Sequence, residues 1–586
     1  MKLSYDFSSI KALDGLTATA LASYYYADNT YERQQKDFKL YTYDKNTDTY
    51  THTGGSYDKK KKNSFNSVEE LMFRIQLNYI REFNKHAINA FVVGEATERK
   101  NPTFSVDSKP TSNSLPLVRS SEFTNLGNGY SETSRAGFLG MVNYVFDDKY
   151  IIEVSGRYDG SYKFAKGNRW GIFPSFSAGW RLSEEEFMKD IPWIYNLKLR
   201  ASWGQLGNER IDLFRYVDLM NLKVIKNDGS ITDYNYPLNG AMQSGAAITA
   251  YNDPNITWET TTMTNVGIDA SLLNGNLDFS FEFFDKRTSD ILRKVTLPDQ
   301  VGGLDGPIRN IGEVSNKGFE LNMGYRNNIG NFRYEVNGNM TFIKNKIVSL
   351  KGQTIIDGMF ILEEGKPIDS YYMLHAIGIF QSEEEIKNSP YQTAATKPGY
   401  LKFEDTNGDG KITEDDRQIR GGVIPKITYG FNINLGYKDW DLSAFFQGVT
   451  DVYTYGDRIG ATPLWFGCGL PEQWLTDAWT PERGTSATLP ILTTYEGCLN
   501  ENFRTNDFWL RNASYLRLKN LQLSYNVPVS FLKSGVVKRL KVFVNAQNLF
   551  TFSPMKDFDP EKNLKGSNWY AYPSVRTYTA GVNVTF

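Results

Sequence analysis

Apolar and polar residues alternate one by one along much of this chain. Leu71, Phe73, Ile75, Leu77 and Tyr79 are interleaved with Arg74, Gln76 and Asn78, and Phe319, Leu321, Met323 and Tyr325 with Glu320, Asn322 and Arg326. Phe332, Tyr334, Val336, Met340 and Phe342 interleave with Arg333, Glu335, Asn337, Asn339 and Thr341, and Phe431, Ile433, Leu435 and Tyr437 with Asn432 and Asn434. The last run sets Tyr578, Ala580, Val582, Val584 and the terminal Phe586 against Thr577, Thr579, Gly581, Asn583 and Thr585. Successive side chains of a strand point to opposite sides, so each run predicts a strand with one apolar and one polar face. Charged residues and amides on one face and large aromatics on the other fit a wide barrel with a wet lumen better than a sandwich with one dry core.

Turn chemistry organises these strands. Asp147-Asp148-Lys149, Asn274-Gly275, Gly330-Asn331 and Lys438-Asp439 stand between runs as hairpin turns. Much longer stretches rich in Gly, Asn, Asp, Thr and Pro separate the hairpins, at 99–130, 206–257, 348–424 and 448–511. Tight turns alternating with long loops are the asymmetry of an outer-membrane barrel, with the loops outside. The expected fold is all-β: a transmembrane antiparallel β-barrel occupying residues 1–586, with about eighteen strands. Composition agrees. Mean hydropathy is -0.46, and no stretch approaches the roughly 20 consecutive apolar residues of a membrane helix. A barrel crosses lipid on strands whose every second residue is polar, so a modest average is no obstacle. The 37 Phe and 36 Tyr suit interfacial girdles.

Net charge is -2, which gives no reason to expect nucleic acid as a partner. The tetralysine at 59–62 is expected to be a solvated loop. Three histidines, His52, His86 and His375, lie far apart, which disfavours a zinc site or a Ser/His/Asp triad. Paired carboxylates such as Asp415 and Asp416 are expected on any solvated loop, so the chain is not expected to be an enzyme. The sharpest chemical motif is DTNGDGKITEDD. Counted from Asp405, oxygen donors fall at Asp405, Asn407 and Asp409, the Lys411 carbonyl follows, and Asp416 closes a twelve-residue loop, a spacing that suits Ca²⁺. The same residues also suit an Asx-rich turn without metal. In the 448–511 segment Trp465, Phe466 and Trp474 are candidate stacking surfaces for a ligand, whereas Trp479 in WTPE is expected to be structural. Cys468 and Cys498 in the same segment form a candidate disulfide in an oxidising compartment.

Several longer stretches carry a family resemblance. They include YVFDDKYIIEVSGRYDGSYKFAKGNRWGIFPSFSAGWRLSEEEF at 144–187, SWGQLGN at 202–208, NDPNITWETTTMTNVGIDASL at 252–272 and GEVSNKGFEL at 312–321. PGYLKFEDTNGDGKITEDDR at 398–417, YLRLKNLQLSYNVP at 515–528, KRLKVFVNAQNLFTFS at 538–553, FDPE at 558–561 and YPSVRTYTAGVNVTF at 572–586 continue the set. The chain resembles the carboxy-terminal barrel of SusC/RagA-type TonB-dependent outer-membrane transporters. That resemblance implies a nutrient importer of the Gram-negative, Bacteroidota-like outer membrane, embedded in its lipid. It takes up oligosaccharides or peptides with a SusD-like surface lipoprotein and a TonB complex as partners. Phe586 resembles the terminal aromatic read as an assembly signal. Against a family template of about 22 strands, the signal peptide, plug domain and first strands are expected to be missing at the amino-terminal side. The competing reading is a surface-exposed glycan-binding β-protein without transport.

Overall fold

The computed structural model describes residues 1–114, 121–218, 251–295, 306–456, 470–493, 501–528, 536–556, 558–562 and 572–586. It also describes residues 300 and 565 and the backbone of five short strands between 219 and 248. Seventeen strands belong to one sheet. Contacts divide the chain into two compact units: Met1–Ser177, Gly204–Glu259 and Lys294–Arg309 in the first, Ala178–Trp203, Thr260–Arg293 and Asn310–Phe586 in the second.

In the first unit, Leu16–Gln35 pairs with Lys60–Phe83, which pairs with His86–Pro110; Ser121–Phe146 and Tyr150–Ser161 follow, every pair antiparallel. In the second unit, Ile308–Ile329, Phe332–Ser349, Ile427–Tyr437, Trp440–Thr450, Tyr515–Val527, Arg539–Phe552 and Thr577–Thr585 pair antiparallel in chain order. This is the up-and-down meander expected of a barrel. The tight turns fall where turn chemistry placed them. Ile329 faces Phe332 across Gly330-Asn331, and Tyr437 faces Trp440 across Lys438-Asp439. Gly330 at φ +61° supplies the left-handed backbone that a two-residue hairpin requires. At their opposite ends these strands are joined by long segments at 350–426, 451–514 and 553–576.

Burial runs opposite to that of a water-soluble sheet. Leu71, Phe73, Ile75 and Leu77 are exposed, Ile75 at 66%, while Arg74, Gln76 and Asn78 between them are half-buried. Val542 and Val544 are likewise exposed beside a half-buried Lys541 and a buried Asn545, whereas on the last strand Tyr578, Val582 and Val584 are exposed together with Thr579 and Asn583. A soluble antiparallel sheet turns its apolar face to a core and its polar face to water. Rings gather beside the tight turns: His86 lies 5.1 Å from both Phe83 and Phe146, and Trp440 lies 4.8 Å from Tyr525. Such aromatic belts mark the level where lipid meets water. Among the described residues no helix is long and apolar enough to cross a membrane; strands are the crossing elements of this fold.

Three expectations change. The loop foreseen at 99–130 is mostly sheet, since the strands run to Pro110 and resume at Ser121. The extension still carries apolar residues such as Phe104, Val106, Phe123 and Leu126, but the prolines, glycines and polar residues among them give the stretch the composition of a loop although the backbone ladder continues. The tetralysine is not a loop either. Lys60, Lys61 and Lys62 open a strand, and each of the four lysines meets a carboxylate, with Lys61 buried against Glu32. Finally, the 348–424 loop is not irregular: short strands at Ser370–Met373 and Gln418–Gly422 pair, as do Ala376–Ile379 and Leu401–Phe403.

Candidate functional site

Two long segments of the second unit, 350–426 and 451–514, fold into each other at the long-loop end of the strands. Leu374, Leu401, Phe403 and Ile412 form one buried cluster and Trp474, Ala478, Leu489 and Trp509 another, with Phe508 packed against both. Backbone joins them too, through Leu374 N–H to the Thr505 carbonyl at 3.0 Å and Asp507 N–H to the Leu374 carbonyl at 3.0 Å. Asp507 is the polar hub. Its carboxylate lies 2.7 Å from His375 Nδ1, accepts from Arg420 Nε at 2.7 Å and accepts from the Ala376 N–H at 2.8 Å. Asn502, fully buried, accepts from the Leu401 N–H at 2.9 Å through its side chain and from Trp509 Nε1 at 2.7 Å through its carbonyl. Glu501 is 1% exposed and takes the hydroxyls of Thr393 and Thr396. Burial pushes its carboxyl above the ordinary value against those hydrogen bonds. The segment that follows the strand Arg539–Phe552 is fastened similarly: Arg517 and Asp559 form an ion pair with both side chains 4% exposed, and Glu561 joins Arg517 and Lys519. Burial acts to raise the Asp559 carboxyl; the Arg517 guanidinium and the Ser574 and Glu561 N–H groups overcome it and hold it well below the carboxylate range.

The Asp405 to Asp416 loop shows which of its expected ligands come together. Asp405 accepts from the Gly408 and Gly410 N–H groups at 2.7 and 2.9 Å, Asn407 from Asp409 N–H at 2.8 Å, and Asp409 from Lys411 N–H at 2.8 Å. These are nested Asx turns. Asp416 does not close the ring. It is fully buried, one oxygen accepting from Thr406 and Asn407 N–H and the other from Thr413 N–H at 2.7 Å, as the acid of a capping box on the turn Glu414–Asp416. A short aspartate reaches its own backbone here, and the loop is closed by its own amides. Among the described residues no three acids, histidines or cysteines converge as metal ligands.

Burial acts to raise the Asp416 carboxyl, but the Thr413, Thr406 and Asn407 amides outweigh it and hold it below its usual range. A lowered folded pKa means stabilisation that is present above the unfolded value of about 4 and lost as pH falls through the folded one. Hydrogen exchange at those three amides, corrected for intrinsic rates, should therefore show the loop opening as pH falls below about 4. Asp416→Asn should flatten that dependence, and identical profiles for the two proteins would refute the capping role.

Trp474 corrects another expectation. The helix Glu472–Asp477 turns it into the core, 2% exposed and 6.2 Å from Trp509, so its ring is a packing group rather than an open stacking face. Trp479 is buried, as foreseen, with Nε1 donating to Gln381 at 3.0 Å. Trp465, Phe466, Cys468 and Cys498 lie outside the described residues. Phe586 is exposed beside the face that carries Tyr578, Val582 and Val584.

The polar strand faces hold what motif reading did not single out. One hollow of about 420 Å³ is lined by Asn196, Asn322, Asn337, Asn339 and Asn432, with Asp269 and Asp278. A second, of about 580 Å³, brings Arg326, Arg333, Glu335, Asn434, Asp441 and Lys541 together. Cross-strand register explains the asparagine wall, because Asn337 is opposite Asn432 and Asn322 opposite Asn339. The signal in the sequence was the asparagine at alternate positions; the pairing that joins them into a surface was not visible there. Such a wall offers neutral donors and acceptors to a hydrated solute.

A family model described as TonB dependent receptor-like, beta-barrel matches residues 2–549. TonB-dependent receptor P26 of Formosa agariphila is 33% identical over 481 residues, covering 79% of this chain and 47% of that protein. TonB-dependent receptor SusC of Bacteroides thetaiotaomicron is 29% identical over 457 residues, covering 77% and 43%. This chain therefore spans about half the length of the curated relatives it matches. Among solved structures, the RagAB peptide transporter superposes with a TM-score of 0.78 at 23% identity, over 98% of this chain and 60% of that one. The antiparallel meander, the reversed burial and the family model agree: the chain belongs to the β-barrel family of TonB-dependent receptors.

Proposed function

We propose that this chain is the barrel of an outer-membrane nutrient importer of the SusC kind, which takes up oligosaccharides or peptides. The whole protein works with a SusD-like surface lipoprotein and draws its energy from TonB. The observation that carries this reading is the exposed apolar face backed by a polar, asparagine-rich wall. An apolar surface of this extent is unfavourable in water and favourable in lipid, and a hydrated solute needs the wall behind it. The SusC relative and the fold shared with the RagAB peptide transporter support the partners and the cargo class. The interlocked loops 350–426 and 451–514 then stand outside the membrane, where the lipoprotein and the cargo meet the barrel.

The test has a physical arm and a functional one. Arginine on the lipid face of a barrel costs about 2–4 kcal/mol near mid-membrane, but almost nothing on the lumen face. In the full-length protein Ile75→Arg should strongly reduce the heat-modifiable barrel in the outer-membrane fraction, while Gln76→Arg assembles normally. Uptake of labelled oligosaccharide or peptide should disappear when TonB is deleted, and a surface lipoprotein should co-purify. Equal assembly of the two arginine variants would sink the membrane reading, and TonB-independent uptake would sink the importer.

A further inference from the structure

We infer that the upper rim of the apolar band in the second unit holds a phosphate-bearing lipid of the surrounding leaflet. On the strand Phe332–Ser349 the face that carries Val336, Met340 and Phe342 ends in Lys344 and Lys346, both exposed. Register sets Lys317 directly opposite Lys344. Lys317 is matched by Asp285 at 2.7 Å, whereas Lys344 and Lys346 have no ion-pair or hydrogen-bond partner among the described residues. Two unmatched cations thus stand where the apolar face stops, at the level of lipid headgroups.

Next to them lies a hollow lined by the two lysines, by Ile343, Pro367, Ile368, Ile419 and Ile424, and by the Lys426–Asp451 ion pair, with a volume of about 240 Å³; the paired charges cancel and leave Lys344 and Lys346 as its unmatched cations. It exists because the neighbouring chain divides there. Ile343 N–H bonds the Lys426 carbonyl and Ile347 N–H the Lys366 carbonyl, each at 2.8 Å, so the strand changes partner between 343 and 347. Asn345 holds the split open by accepting from the Ile368 N–H at 2.7 Å. The walls are mostly aliphatic and the rim is cationic. Sugar hydroxyls would leave those isoleucines unmatched, and the backbone amides of an acidic peptide would find few partners among aliphatic walls. A lipid satisfies both halves: phosphate against the ammonium groups, acyl chain in the hollow.

The inference rests on the membrane reading, and the experiment keeps the two apart. Full-length protein in detergent, first shown to be heat-modifiable, is incubated with a bis-phosphorylated, acylated glucosamine disaccharide or with the same lipid after dephosphorylation. Native mass spectrometry then reads what is retained. The phosphorylated lipid should be retained about tenfold more, and the preference should fall with added salt. The double variant Lys344→Gln with Lys346→Gln should retain both lipids alike, while Lys387→Gln on the remote helix Glu383–Lys387 changes nothing. Equal retention of the two lipids by the unaltered protein overturns the proposal, as does a phosphate preference that survives the double variant. If that variant does not assemble, the lipid pair and the salt dependence on the unaltered protein decide alone. A chain that never becomes heat-modifiable indicts the membrane reading instead.

Discussion

Asp507→Ala should separate the two long loops while leaving the strands assembled. Asp507 is 11% exposed and answers Arg420, His375 and the Ala376 N–H at once. Its removal strands a guanidinium and an amide together, and breaking a largely buried pair in this way costs about 3–5 kcal/mol. Arg420 and His375 are each about one-third exposed, so the lower end of that range applies. About 3 kcal/mol corresponds to a hundredfold or greater rise in the open population, since each 1.4 kcal/mol is a factor of about ten. Hydrogen exchange at Leu374, Ala376 and Asp507 should accelerate accordingly, with heat-modifiability unchanged. Asp507→Asn keeps an oxygen for the Ala376 N–H and should cost less. Unchanged exchange in the alanine variant would mean that packing alone holds the loops together.

Trp509→Ala should be as costly by a different route. Trp509 is 1% exposed, stacks on Phe503 at 4.5 Å, meets Phe508 edge-on at 4.8 Å and donates to the Asn502 carbonyl. Truncating a buried tryptophan removes its transfer free energy and leaves a cavity, about 3–5 kcal/mol together, and here also leaves the Asn502 carbonyl with Asn506 Nδ2 as its donor. Limited proteolysis should then cut within 470–493 and 501–514 at enzyme levels that leave the parent intact. Trp474→Ala empties part of the same cluster, so the double variant should cost less than the sum of the singles. Full additivity would show that the two rings do not share a core.

The fold was legible because a barrel writes itself in local terms. Its face pattern has a period of two residues, and its partners are chain neighbours, so Leu71 to Tyr79 or Phe332 to Phe342 disclose both orientation and environment. Gly330-Asn331 and Lys438-Asp439 disclose the turns for the same reason. The pattern was obscured where prolines, glycines and polar residues outnumbered the apolar ones, as at 99–130, where a continuing strand had the composition of a loop.

The loops obeyed no such period. The motif DTNGDGKITEDD specifies oxygen donors at a spacing, but whether Asp416 turns toward a cation or toward the amides of Thr406 and Thr413 depends on how the backbone closes and on the burial of that side chain. Trp474 could be ranked as a ligand contact from composition; its partner Trp509 lies 35 positions away, and only folding reveals that each ring covers the other. Asp507 carries no mark in the sequence, because His375 and Arg420 come from a different loop. By itself the sequence determined the strands, their lipid and lumen faces and the hairpin turns, since these follow from neighbours along the chain. Tertiary structure alone decided the interlocked loops, the asparagine wall and the lysine-rimmed hollow, since each depends on contacts between segments far apart in sequence.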